Sequence, residues 1–137
     1  MTCAIIHTDA SVKKSKMRGG GTIRSVEGDR THSFHVPKLA ADNTLTHSVQ
    51  LAEACAIEEG LRRAISEGYT KFCVFSDAKH VVKPLMKYVK ITGSIIPKRY
   101  IPKSLVKLVR QYNVKLFWIP REFNKEADTL SRKFIAV

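Results

Sequence analysis

At 137 residues and 44% hydrophobic content, the chain is long enough to bury one core, too short for two ordinary domains, and unlike disordered or fibrous proteins in composition. Its 24 Lys and Arg against 12 Asp and Glu leave a formal charge of +12, which draws in polyanions through counterion release and makes nucleic acid the leading partner class. Cys3, Cys55 and Cys73 are odd in number, lack CxxC spacing and lie in apolar stretches, which argues against a disulfide framework or a zinc cage and suits a reducing compartment.

The chain begins "MTCAIIHTDAS", without a basic leader, and nowhere runs to 18 uninterrupted apolar residues, so we expect a cytoplasmic protein without a membrane partner. Residues 3–8 read as a short buried strand, followed by a polar, glycine-rich connector, "DASVKKSKMRGGG". Residues 22–36 read as a β-hairpin turning at Glu27-Gly28-Asp29. Residues 48–67 carry Leu51, Ala54, Ile57, Leu61, Ala64 and Ile65 at helical spacing, with Gly68 as the stop. "KFCVFS" at 71–76 is a second buried strand, and residues 78–89 form a helix that Pro84 should bend or restart. An irregular stretch over 90–101 precedes a helix at 103–112, a strand at 114–119 and a last helix beginning near Asn124. The early hairpin implies antiparallel pairing and the later strand-helix alternation implies parallel pairing. The expected fold is therefore α/β: a single domain with a five-stranded mixed sheet, three antiparallel strands then two parallel, and helices on both faces.

The few acids fall at informative places. Asp9 and Asp77 each end an apolar strand, and ligands of open α/β sheets bind outside the carboxyl ends of the strands. Glu53 lies at the margin of the first helix's apolar stripe, where an unpaired carboxylate is costly. Three acids converging there would require a cation, and an all-oxygen ligand set selects hard ions such as Mg2+ or Mn2+. Simpler readings compete: Asp77 as a helix N-cap, Asp9 as a turn residue, and Asp128 as an ion-pair partner of Arg132 on the outer side of the last helix.

Four segments, in order, resemble the ribonuclease H type 1 family in its short archaeal, bacterial or retroelement-like form: "TDAS" at 8–11, "LAEACAIEEGLRRA" at 51–64, "VFSDAKHVV" at 74–82 and "WIPREFNKEADTLSR" at 118–132. The resemblance implies a ribonuclease H-like fold, a site formed by Asp9, Glu53, Asp77 and Asp128, and two Mg2+ ions, with Mn2+ as a substitute. It also implies metal-dependent endonucleolytic hydrolysis of the RNA strand of RNA/DNA hybrids, leaving a 3′-hydroxyl and a 5′-phosphate, with double-stranded RNA as a further possible substrate. The chain departs from the family pattern in Ala10 and Ala78, where Gly and Ser are frequent, and in Val49 and Gln50, where two asparagines are frequent. Its loop "PREFN" lacks the histidine of longer members, and Arg121 and Glu122 stand in that place.

From Ala78 to Arg121 the chain has eleven Lys or Arg and no acid. Lys79, Lys83, Lys87 and Lys90 share one helical face, and Lys103, Lys107 and Arg110 share another. A charge run is usually only a solvated face, but this one lacks compensating acids. Residues expected at the nucleic acid are Ser11, Lys13, Lys14, Gly20, Gln50, Lys79, Lys83, Arg121 and Asn124. Trp118, in a strand, reads as a core residue. A non-catalytic nucleic-acid-binding module of this fold is the alternative function. A junction resolvase fits less well, because such enzymes commonly carry two late acids about three residues apart on one helix. The oligomeric state is left open.

Overall fold

The computed structural model describes residues 3–13, 16–28, 30–36 and 49–125. Their strands are β1 (Cys3–Lys13), β2 (Lys16–Ser25), β3 (Thr31–Val36), β4 (Lys71–Ser76) and β5 (Lys115–Trp118). The helices are α1 (Val49–Ser66), α2 (Lys79–Lys90) and α3 (Lys103–Gln111), followed by a single 3-10 turn at Arg121–Phe123. The five strands lie in the order β3-β2-β1-β4-β5. β1 pairs antiparallel with β2, and β2 with β3, while β4 runs parallel to both β1 and β5. The expected mixed sheet is therefore present.

The connector expected after Asp9 is instead a long hairpin. β1 continues to Lys13 and pairs with β2 from Lys16 onward, which puts Gly19, Gly20 and Gly21 inside a strand. Alternation explains the extension: Ala10 and Met17 are buried with Leu51, Ala52, Cys55 and Ala56 in a small core cluster beneath α1. Gly21 answers to space rather than flexibility, since a Cβ there would lie 2.1 Å from the carbonyl oxygen of His7.

Even-numbered residues of β1 face α1. A Cβ on Gly60 would meet Ile6 Cγ2 at 3.1 Å and Thr8 Cγ2 at 3.2 Å, so the missing side chain lets the helix lie close on the strand. Ile6, Val74, Ile57, Leu61, Leu85 and Leu105 belong to the main core, all wholly buried. α1, α2 and α3 contact one another and α1 also covers β1 and β2, so the three form one layer. On the opposite face, the rings of His7, Phe75 and Phe117 stack at centroid distances of 4.9 Å, the spacing of neighbouring strands. The last helix, expected to begin near Asn124, falls beyond Lys125 and so outside the described residues.

Local signals account for the ends of α1 and the course of α2. Gly68 takes φ +94° just past α1, its N–H bonding Ile65 O and the next N–H, of Tyr69, reaching Ala64 O, which closes the helix in a Schellman arrangement. Of the bend or restart expected at Pro84, the restart does not occur: α2 runs through the proline as one helix. Proline offers no N–H to the carbonyl of His80, and the hydroxyl of Tyr100 donates to that oxygen instead at 2.8 Å. Trp118 corrects the sequence reading: it ends the edge strand β5 and is 42% exposed rather than in the core. Among the cysteines, Cys55 is buried, while Cys3 and Cys73 are free, half-buried thiols on adjacent strands. Among the described residues, no helix is long and apolar enough to cross a membrane.

Candidate metal centre

β1 and β4 are parallel neighbours whose pairing ends at His7 and Phe75, so Asp9, inside β1, and Asp77, just after β4, lie on the same side, each two residues beyond the last pair. Asp9 is 2% exposed and lies across from Gly20 in the β1-β2 register. Asp77 is half-buried, one residue after Ser76 ends β4. α1 brings Glu53, 6% exposed, over the Asp9 stretch of β1, because Ala52 and Ala56 on either side are wholly buried and let the helix approach. Carboxylate oxygens of Asp9, Glu53 and Asp77 all lie within 4.8 Å of one another.

This proximity is electrostatically expensive. Burial first, then the charge of Asp9, a hydrogen bond with the Asp9 carboxyl and the charge of Asp77 hold the Glu53 carboxyl well above its ordinary value, with the Ala10 N–H pulling the other way. The backbone N–H of Ala10 also donates to Asp9 Oδ1 at 2.9 Å. Glu53 Oε2 is buried with no hydrogen-bond partner among the described residues. A buried, unsatisfied acceptor among three carboxylates fits a divalent cation, and oxygen-only donors fit Mg2+ or Mn2+.

Asp77 is not the N-cap of α2: Ala78 holds that position, and its N–H is taken by Ser76 Oγ at 3.1 Å. The Asp77 carbonyl accepts from the Lys79 N–H at 3.0 Å and from the indole Nε1 of Trp118 at 3.1 Å. Asn124 is 2% exposed and donates from Nδ2 to Thr8 O, the carbonyl preceding Asp9, at 2.9 Å. Sequence reasoning missed Ser76 and Trp118. The hydroxyl directly before Asp77 was the only local signal, since the Trp118 contact spans 41 residues.

Asp128 and Lys14 lie outside the described residues, and Lys13 closes β1. Gly20 is buried opposite Asp9, and Ser11 is half-buried two residues beyond that acid. Gln50 is exposed three residues before Glu53, and Lys79 and Lys83 are exposed on α2. Arg121 and Glu122 are exposed in the 3-10 turn, whereas Asn124, expected at the nucleic acid, is inside the protein. On α3, Lys103, Lys107 and Arg110 border a separate cavity of about 660 Å³ with Ile95 and Pro97 of the preceding loop.

The sequence profile of a family described as reverse transcriptase-like matches residues 7–134. Among solved structures, the N-terminal RNase H domain of rv2228c from Mycobacterium tuberculosis superposes with a TM-score of 0.70 at 16% identity, covering 99% of this chain and 95% of that one. RNase H1 of the halophilic archaeon Halobacterium salinarum gives a TM-score of 0.71 at 15% identity, over 98% of each chain. LC11-RNase H1, isolated from compost by a metagenomic approach and solved with an RNA/DNA hybrid, gives 0.60 at 16% identity over 93% and 92%. At these identities the likeness is one of fold.

Proposed function

The chain belongs to the reverse transcriptase-like family, of the ribonuclease H type, and from that premise we propose that it is a metal-dependent endoribonuclease. It hydrolyses the RNA strand of RNA/DNA hybrids and leaves a 3′-hydroxyl and a 5′-phosphate. The observation that carries this reading is the meeting of Asp9, Glu53 and Asp77 within 4.8 Å in a protein of charge +12. A hybrid-bound structure within the same fold group supports the substrate class.

Asp9, Glu53 and Asp77, joined by Asp128 from the sequence, would hold two Mg2+ ions, with Mn2+ able to substitute. Bound there, such ions stabilise the attacking and leaving oxygens of an in-line phosphoryl displacement. The protein's own part is placement. β1 and the turn after β4 fix two acids side by side, α1 brings a third over them, and burial keeps Asp9 and Glu53 largely from bulk water. Exposed Lys79 and Lys83 start on the helix that follows Asp77, so they meet a nucleic-acid backbone beside the acids. Gln50, exposed near the start of α1, is placed to contact the same duplex through its groove. A pure phosphate binder has no use for buried carboxylates next to its cations, which counts against the non-catalytic alternative.

The deciding experiment incubates a hybrid labelled on its RNA strand with wild type and Asp77→Asn, with Mg2+ and with EDTA. Mg2+-dependent cleavage that the substitution reduces to background is the expected result. Binding without cleavage by the wild type would refute the enzyme, and equal cleavage by the variant would refute the site.

A further inference from the structure

The register of β1 with β4 ends at His7 opposite Phe75, short of both aspartates. Neither Asp9 of β1 nor Asp77 after β4 belongs to that pairing, although their carboxylate oxygens lie within 4.8 Å. One later segment reaches the backbone beside both. Trp118 lies opposite Ser76 in the β4-β5 register, the next N–H, of Ile119, donates to Ser76 O at 3.0 Å, and the Trp118 indole donates to Asp77 O at 3.1 Å. Six residues on, the buried amide of Asn124 donates to Thr8 O at 2.9 Å. The segment 118–124 thus grips the backbone beside both aspartates.

We infer that Trp118 and Asn124 are positioning residues which fix the separation of Asp9 and Asp77, and so set the affinity of the acidic site for divalent cations. This rests on the metal-centre reading above. Neither residue touches the reacting atoms. Each acts through the carbonyl it holds, and preorganising mutually repelling ligands spares the cation the cost of gathering them.

The test is Mn2+ binding by isothermal titration calorimetry on the full chain, with hybrid cleavage followed in parallel. Trp118→Phe keeps an aromatic side chain and removes the N–H, and at a half-exposed position it should fold. It is expected to weaken Mn2+ binding about three- to tenfold, the worth of one net hydrogen bond. Its cleavage rate should recover toward wild type at saturating Mn2+, with KM for the hybrid unchanged. Asn124→Leu should weaken binding in the same direction if it folds; the decision rests on Trp118→Phe. Unchanged Mn2+ affinity in that variant, or a cleavage loss that excess Mn2+ fails to restore, overturns the inference. Asp77→Asn separates the premise: if it binds Mn2+ as wild type does, the metal centre fails and the inference with it. If wild type binds Mn2+ but leaves the hybrid intact, the enzyme reading alone fails, and the affinity of Trp118→Phe still decides the positioning role.

Discussion

Glu53 of α1 and Asp9 of β1, 6% and 2% exposed, bring carboxylate oxygens within 4.8 Å of each other. Such a contact requires a proton or a cation, since two ionised carboxylates repel. The same pair therefore couples metal binding, protonation and stability.

The Glu53 carboxyl is raised well above its ordinary value of 4.5 by burial first and by Asp9 next. A raised acid leaves the folded state holding more protons than the unfolded state once the pH passes that ordinary value. Stability is thus greatest below it and is lost as the pH climbs toward the folded value. In EDTA, the Tm of wild type should fall from pH 5 to pH 8 more steeply than that of Glu53→Gln, and at pH 8 the variant should be the more stable. Adding Mn2+ should raise the wild-type Tm, more at pH 8 than at pH 5, and leave Glu53→Gln much less affected. Parallel pH profiles for the two proteins in EDTA would contradict this account.

Gly21 supplies a stability prediction that does not depend on function. An alanine there puts Cβ 2.1 Å from His7 O, a backbone atom that can yield only by moving β1. Gly28 has φ +78° in the β2-β3 turn with nothing within 4 Å of an added Cβ. Gly21→Ala should cost about 3 kcal/mol by overpacking, and Gly28→Ala about 1 kcal/mol from backbone conformation alone. Urea unfolding of both variants checks the order. Equal losses would mean that the close approach of the strands carries no weight.

Much of the site was legible because its acids interrupt patterns. Asp9 and Asp77 each close an apolar run, although β1 itself continues past Asp9 to Lys13, Glu53 sits at the edge of an apolar stripe, and all three converge as that placement implied. The long β1-β2 hairpin was hidden by its lysines: the charges around the turn read as a connector, while the decisive burial of Ala10 and Met17 comes from α1, far along the chain. Trp118 looked like core because tryptophan in a strand usually is, and only the sheet order reveals β5 as an edge. Asn124 was misplaced for the opposite reason. A polar residue after "PREF" reads as surface, but its amide meets a carbonyl 116 residues away, a pairing that no local pattern announces.

The basic surface yields the last prediction. Each lysine that neutralises a phosphate releases counterions, so hybrid affinity should fall steeply with salt, and each lost contact should reduce the slope of log K against log salt by about 1. Lys79 and Lys83 are exposed on α2 next to Asp77. Arg62 is exposed as well, but its guanidinium lies 2.7 Å from Glu58 on α1, so its charge is already compensated. With hybrid binding measured in EDTA to prevent cleavage, Lys79→Ala and Lys83→Ala should each lower the slope by about one, while Arg62→Ala should leave it unchanged. The contrast matters because all three substitutions remove one positive charge. If net charge alone drew in the hybrid, the three slopes would shift alike, and α2 would lose its claim to be the face that holds the backbone while the acids act on it.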